Sequence, residues 1–246
     1  MSSAIIVTKQ PPRQLQPPRL ADGIGLPSRR GDTRAMVIPR PEVVLIRQDY
    51  LIAKRVLDLS LSIMMLPLIL TVIAICSAVV WLSDPGPVIF TQLRTGYGGR
   101  RFRMYKFRTM VKNAEALKQK YAHLNELTWP DFKISDDPRV TRIGRFLRRT
   151  SLDELPQILN VLKGDMSLVG PRPTSFDAST YDLWHTERLE VLPGITGLWQ
   201  ISGRSNLDFD DRLRLDLKYI EQQSLWLDLQ ILVATAATIF TQRGAY

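Results

Sequence analysis

Between Leu59 and Leu82 the chain runs for 24 consecutive residues without a charge. As a straight helix this run reaches ~36 Å, enough to cross a bilayer core of ~30 Å. A membrane-embedded helix is therefore the first expectation, and every other element has to be arranged around it. The flanks argue against a simple crossing. Lys54 and Arg55 precede the run, and Arg94, Arg100, Arg101, Arg103, Lys106 and Arg108 follow it, whereas positive charge is normally biased to the cytoplasmic side alone. Pro67 lies inside the run, where its missing N–H and its ring clash cost about 3 kcal/mol in an ordinary helix. A break at Pro67 lets the segment enter and leave by one face; a kinked spanning helix is the alternative. Backbone groups freed at a break need partners inside lipid, and Asp58 and Ser62 are candidates for that role.

The remainder reads as one globular domain with a tail. Residues 1–48 carry Pro11-Pro12, Pro17-Pro18, Arg29-Arg30 and Pro39-Arg40-Pro41 with little apolar periodicity, the composition of a disordered basic tail. Ser83-Asp84-Pro85-Gly86-Pro87 is a breaker cluster that closes the apolar helix. Phe102 to Arg108 alternates apolar and basic residues, which predicts a strand with one charged face. Residues 111–127 read as a polar surface helix. Phe209 to Tyr219 has helical spacing, and Leu225 to Phe240 is apolar except for Asp228 and Gln230. Its uncharged part, from Ile231, is too short to span a bilayer and suits an interfacial or core-packed helix.

Composition narrows the partners. The 33 Lys+Arg against 24 Asp+Glu give a formal charge of +9, which fits nucleic acid, anionic lipid or a phosphorylated substrate. No nucleic-acid-binding motif accompanies that charge, and nucleic acid would not explain the apolar run. The single cysteine, Cys76, excludes a disulfide framework and a cysteine-based metal site within the chain. No secretory signal is expected, because the first long apolar run begins beyond residue 50.

Chemistry concentrates in Thr150-Ser151-Leu152-Asp153-Glu154-Leu155-Pro156-Gln157. Pro156 is tolerated only in the first turn of a helix, so a helix running to Leu162 begins near Asp153. Adjacent carboxylates at a helix N-terminus are favoured as anions, which suits a nucleophile or a metal ligand. Ser151 and Glu154 also have capping-box spacing, the purely structural alternative. Pro171-Arg172-Pro173 presents an arginine on a stiffened loop, a geometry that serves bidentate phosphate contact. Lys106, Arg108, Arg148 and Arg149 form a basic set that suits a polyanionic substrate or lipid headgroups. Asp208-Phe209-Asp210 is similar to the acidic motif with which many sugar transferases hold a metal and a nucleotide, or else caps a helix. Neither His123 nor His185 has partners at metal-ligand spacing.

Taken together, these segments resemble the monotopic phosphoglycosyl transferases, bacterial sugar transferases that start polysaccharide and glycan assembly. The matching blocks run in family order over about residues 50 to 246. They are Lys54-Arg55-Val56-Leu57-Asp58, the apolar run with Pro67, Asp84-Pro85-Gly86-Pro87-Val88, Tyr105 to Met110, and Asp137-Pro138-Arg139-Val140-Thr141. Ser151 to Gln157, Gly164 to Pro173 and Pro193 to Arg204 complete the set. Leu66 stands where many family members place a serine before the membrane proline.

The resemblance implies an α/β fold, mostly α. A re-entrant membrane helix-hairpin at residues 49–83 would adjoin a small cytoplasmic catalytic domain at 84–246 with amphipathic interfacial helices, on the inner leaflet of the bacterial cytoplasmic membrane. It implies Asp153 as nucleophile and Glu154 as a catalytic partner that helps bind Mg²⁺. Lys106, Arg108, Arg149, Arg172 and Arg204 are assigned to substrate phosphate. The implied reaction moves a hexose 1-phosphate, galactose or glucose, from a UDP-sugar to undecaprenyl phosphate through a sugar-phosphoryl aspartate. A homo-oligomer is left open. Two alternatives stand beside this reading: a non-catalytic membrane scaffold, and a conventional glycosyltransferase using Asp208 and Asp210.

Overall fold

The computed structural model describes residues 48–126, 134, 136–175, 183–202 and 209–241. The expected basic tail lies outside these residues but for Gln48, as do Arg204 and Asp208. Helix α1, Gln48–Ser83, is the one helix among them long and apolar enough to cross a membrane. Helical structure continues through Pro67 rather than stopping there. One turn on, the Thr71 hydroxyl donates to the Pro67 carbonyl at 3.0 Å, a back-bond that often accompanies bent helices. The middle of α1 has little protein against it. Ile63, Met64 and Leu68 are 60, 67 and 60% exposed, the kind of contiguous apolar surface that marks a lipid- or protein-facing patch.

Both ends of α1, by contrast, are held by the globular domain. In its first three turns Lys54 pairs with Asp228 at 2.9 Å and Arg55 donates to the carbonyls of Val161 and Leu162 at 2.7 and 3.1 Å. Asp58 accepts from the backbone N–H of Leu168 at 3.2 Å. In its last turns Cys76 and Val80 are buried against Phe107 and Leu147. The Asp84-Pro85-Gly86-Pro87 breakers then end the helix, as expected.

Strands β1 (Ile89–Thr95) and β2 (Arg101–Phe107) form an antiparallel hairpin with Ile89 opposite Phe107 and Thr95 opposite Arg101. Gly98 takes the left-handed turn conformation, φ 60°, that closes it. The alternation anticipated for β2 holds at its start, where Phe102 and Met104 are buried and Arg103 is exposed, and breaks at its end, where Phe107 on the Arg103 side is buried. The surface helix anticipated at 111–127 is much shorter. Only α2, Ala114–Lys118, and a 3₁₀ turn at Ala122–Leu124 form, and neither buries a residue. A short helix without a packed face has no tertiary contact to extend it.

Helix α3, Arg142–Arg149, starts where the Thr141 side chain accepts from the Gly144 N–H at 2.9 Å. A 3₁₀ segment, Leu152–Gln157, leads into α4, Ile158–Lys163. Strand β3, Ser167–Val169, pairs in parallel with β4, Gly194–Thr196, across a 3₁₀ segment at Leu183–Glu190. Helices α5 (Leu198–Ser202), α6 (Phe209–Glu221) and α7 (Leu225–Thr241) follow. The fold is thus α/β and mostly helical, with two two-stranded sheets among the described residues. Val169, Val191, Tyr219, Ile220 and Ile231 form one apolar core, and Phe102, Met104, Val161 and Met166 another.

Candidate active site

Three elements converge on the Asp153-Glu154 pair. The first is the turn out of α3. Ser151 is the one non-glycine residue with positive φ among those described, at 57°, a conformation that costs a non-glycine residue roughly 1–2 kcal/mol. Its side chain makes no cap hydrogen bond, and Leu152–Gln157 is 3₁₀ rather than α. The capping box that the spacing allows therefore does not form, and Glu154 is turned toward cations instead.

The second element is β2. Buried Asn160 donates from its amide to the Arg103 carbonyl at 2.8 Å, and its carbonyl accepts from the Tyr105 N–H at 3.1 Å. Asn160 acts as a missing strand for that edge and fixes β2 against α4, which directly follows the 3₁₀ segment. Lys106 is thereby delivered to Glu154, with Nζ 2.9 Å from Oε1.

The third element is the loop after β3. Gly194 donates to the Pro171 carbonyl at 2.9 Å, and Gly170 to the Thr196 carbonyl at 2.9 Å. A Cβ on Gly194 would lie 2.1 Å from the Gly170 nitrogen, so only glycine permits this approach. Arg172 then reaches Glu154 bidentately, Nη1 to Oε2 at 3.1 Å and Nη2 to Oε1. Its backbone carbonyl accepts from Arg188 at 2.6 Å, and the same Arg188 nitrogen bonds Asp216 Oδ2 at 2.6 Å.

The electrostatics divide the two acids. Burial opposes the charge on Glu154, but Arg172 and Lys106 outweigh it and hold the carboxyl far below the usual range. Burial pushes the Asp153 carboxyl up, against the pull of Lys106 and with the Glu154 charge adding to the rise; Arg172 and Arg148 counter it. Burial lowers Lys106 in spite of Glu154. The cluster holds Glu154 as a fixed anion and Asp153 as a buried carboxyl whose ionisation depends on the surrounding cations.

Among the described residues no three His, Cys, Asp or Glu side chains group as a metal site. Mg²⁺ needs less than that, since it is commonly held by one or two carboxylates together with substrate phosphates. The three cation contacts on Glu154 put two on Oε1 and one on Oε2. A carboxylate offers about four lone-pair directions, so Oε2 retains one. The donor set fits a metal whose shell is completed by phosphate.

The anticipated site residues are distributed as follows. Asp153, Glu154, Lys106 and Arg172 come together. Arg108 turns away to the Asp84 carbonyl and carboxylate, the latter at 3.5 Å. Arg149 is exposed on α3, while its neighbour Arg148 faces Asp153 and donates to the Thr109 hydroxyl at 2.9 Å. Asp210 is exposed in the first turn of α6. Arg204 and Asp208 lie outside the described residues. Arg188 and Asp216 join the site without belonging to any of the motifs that mark it in the sequence. Asp216 carried a signal, because its spacing from Leu213 and Tyr219 puts an acid on the apolar face of α6.

The bacterial sugar transferase family model matches residues 49–242. The chain belongs to that family. A galactosyl transferase, CpsE, from Streptococcus agalactiae is 48% identical over 201 residues, 81% of this chain and 44% of its own length. An undecaprenyl-phosphate galactose phosphotransferase from Salmonella typhimurium is 42% identical over 240 residues, 90% of this chain and 50% of that protein. The exopolysaccharide production protein ExoY from Sinorhizobium fredii is 38% identical over 222 residues, 88% of this chain and 98% of that protein. The chain thus spans about half the length of the first two and nearly all of the third. In this bacterial sugar transferase the matched segment contains α1, the Asp153-Glu154 cluster and Arg172.

Proposed function

We propose that the chain transfers a hexose 1-phosphate from a UDP-hexose, galactose or glucose, to undecaprenyl phosphate, starting the assembly of a polysaccharide. The observation that carries this reading is the buried Asp153 beside a Glu154 already neutralised by Lys106 and Arg172. Three cations, Lys106, Arg148 and Arg172, act on two acids there, so a surplus remains for a phosphoryl group. An Asp153 oxygen attacks the β-phosphorus, and the bond from that phosphorus to the bridging oxygen breaks. The electron pair leaves with UMP, and the sugar phosphate stays on Asp153 as an acyl phosphate. An oxygen of the polyprenol phosphate then attacks the same phosphorus and frees Asp153. Splitting the exchange in this way replaces one difficult step with two easier ones.

Arg172 supplies a planar fork for phosphoryl oxygens, and Lys106 a point charge. Both are prepositioned by Glu154, so little reorganisation is needed as charge shifts in the transition state. Glu154 is the residue that would hold Mg²⁺ together with the donor diphosphate, where the metal would supply further charge neutralisation. The names of the relatives support the lipid acceptor and galactose.

The attachment of α1 supports a re-entrant arrangement. Lys54 and Arg55 at one end and Cys76 and Val80 at the other contact the same globular domain. That domain cannot occupy both sides of a bilayer, so the exposed middle around Pro67 dips into one leaflet and returns. The catalytic domain then faces the cytoplasm at the inner membrane. The reaction is tested by nucleotide release from a panel of UDP-sugars with Mg²⁺ and undecaprenyl phosphate. UMP as the product supports phosphosugar transfer and names the sugar; UDP would mean ordinary glycosyl transfer and reject it.

A further inference from the structure

Next to the catalytic cluster, on the far side of Arg172, is an open cavity of about 150 Å³. Arg94, Arg172, Arg188 and Arg212 line it, with Trp199 and Phe209 as its aromatic walls. The Arg212 guanidinium lies 5.5 Å from the Trp199 ring centre and 5.9 Å from that of Phe209. Asp216 also lines the cavity and is 1% exposed. Its Oδ2 bonds Arg188, and its buried Oδ1 has no hydrogen-bond partner among the described residues. A buried carboxylate oxygen without a donor is costly, so this one points to a ligand.

The lining has a polarity along its length. Glu154 meets the Arg172 guanidinium, the Arg172 carbonyl meets Arg188, and Arg188 meets Asp216. Phosphate is acceptor-only and belongs at the Arg172 end. At the other end Asp216 Oδ1 calls for a hydroxyl or N–H donor, beside aromatic faces. A cavity of this volume takes a single six-membered ring.

We infer that this open cavity receives the base of the nucleoside monophosphate half of the donor, with a pyrimidine ring on Trp199, its ribose hydroxyl or ring N–H on Asp216, and the ribose phosphate at the open mouth beside the arginines. The inference rests on the phosphosugar-transfer reading for which half departs. The arginines decide between the two halves. Beyond the reacting β-phosphate, the nucleoside half carries the second phosphate, whereas the sugar is neutral and gains little from four guanidinium groups. Stacking on an aromatic ring serves any base, so the discrimination against purines comes from the volume of the cavity, which matches one ring and not two fused rings. The cavity is then what retains UMP until transfer to Asp153 is complete.

The test is direct binding to the purified full chain in detergent, using UMP, AMP and glucose 1-phosphate as probes. The wild type binds UMP at least tenfold more tightly than AMP. Trp199→Leu and Arg212→Met each weaken UMP about tenfold or more and leave glucose 1-phosphate unchanged, while Trp199→Phe stays within about threefold of the wild type. If Trp199→Leu does not fold, Arg212→Met and Trp199→Phe carry the same comparison. Equal binding of AMP and UMP, unchanged UMP binding in Arg212→Met, or a loss confined to glucose 1-phosphate would overturn the assignment. Release of UDP instead of UMP by the wild type in the donor-panel assay would sink the transfer reading separately, without touching the UMP-binding result.

Discussion

Two of the buried charge clusters, those around Asp228 and around Asp153 and Glu154, are built to opposite rules. Around Asp228 every charge is answered: Lys54 at 2.9 Å, the Tyr219 hydroxyl at 2.7 Å and the Tyr50 hydroxyl at 3.0 Å all donate to it. Lys54 also pulls on buried Asp58, whose carboxylate accepts from the Leu168 N–H at 3.2 Å, and the cluster ties the first turns of α1 to α7 and β3. Around Asp153 and Glu154 the balance is left open, with Lys106, Arg148 and Arg172 against two acids and with Asp153 pushed up by burial. A closed cluster fixes geometry; an open one is completed by substrate. The contrast assigns the two clusters different jobs, fastening a membrane helix and receiving phosphate.

The largest expected effect comes from emptying the open cluster of its nucleophile. Asp153→Asn should lower UMP release by about 10⁴-fold or more, the scale of removing an enzyme's nucleophile, while the thermal unfolding midpoint stays near that of the wild type. Wild-type turnover in Asp153→Asn would place the nucleophile elsewhere. Next is Arg172. Arg172→Met should cost about 10²–10³-fold in kcat, the scale of losing one preorganised electrostatic donor. Arg172→Lys should recover little, since a point charge cannot reproduce the fork that now grips Glu154.

The closed cluster should respond the other way. Asp228→Asn removes the 2.9 Å partner of Lys54 and leaves it only the more distant Asp58, so it should cost up to about 3 kcal/mol of stability, read as a lower unfolding midpoint, with kcat per folded molecule unchanged. Adding Lys54→Met should restore most of that loss. If the single variant abolished turnover while unfolding normally, the separation between the two clusters would be wrong.

The smallest effect is in pH dependence. Burial pushes the Asp216 carboxyl up to about 6, although Arg188 and Arg212 pull against it. A carboxyl whose pKa rises on folding supports the folded state fully below its unfolded value of ~3.9. That support is lost as pH rises through about 6. Unfolding midpoints measured from pH 4 to 7 should therefore fall with a steeper slope in the wild type than in Asp216→Asn. Identical slopes would mean that Asp216 is not held in this way.

What the sequence made legible is what is local. The alternation in Phe102 to Phe107 marked β2, the uncharged run marked α1, and helical spacing marked α6 and α7, because each signal is complete within a few turns. The Asp-Glu pair and the Pro-flanked arginine were visible for the same reason. The pairings that make them a site were not. Lys106 and Glu154 are 48 residues apart, and Lys54 and Asp228 are 174 apart, and no local pattern encodes such partners. Arg148 and Arg149 illustrate a finer limit. Adjacent helical residues point about 100° apart, so choosing between them needs the phase of α3, which buried Gly144 and Leu147 set on the Arg148 side. The 3₁₀ form of Leu152–Gln157 was also hidden, since the Ser151 spacing suits a capping box equally well.

The most direct test of Asp153 as nucleophile is to incubate purified enzyme with a UDP-sugar labelled at the β-phosphate, with Mg²⁺ and without polyprenol phosphate, and to weigh the intact protein. The expected result is a mass gain of one hexose phosphate, located by peptide mapping to the fragment containing Asp153, absent from Asp153→Asn and discharged when undecaprenyl phosphate is added. Full transfer to lipid by an enzyme that never carries the label, or a label that maps to another residue, would contradict it.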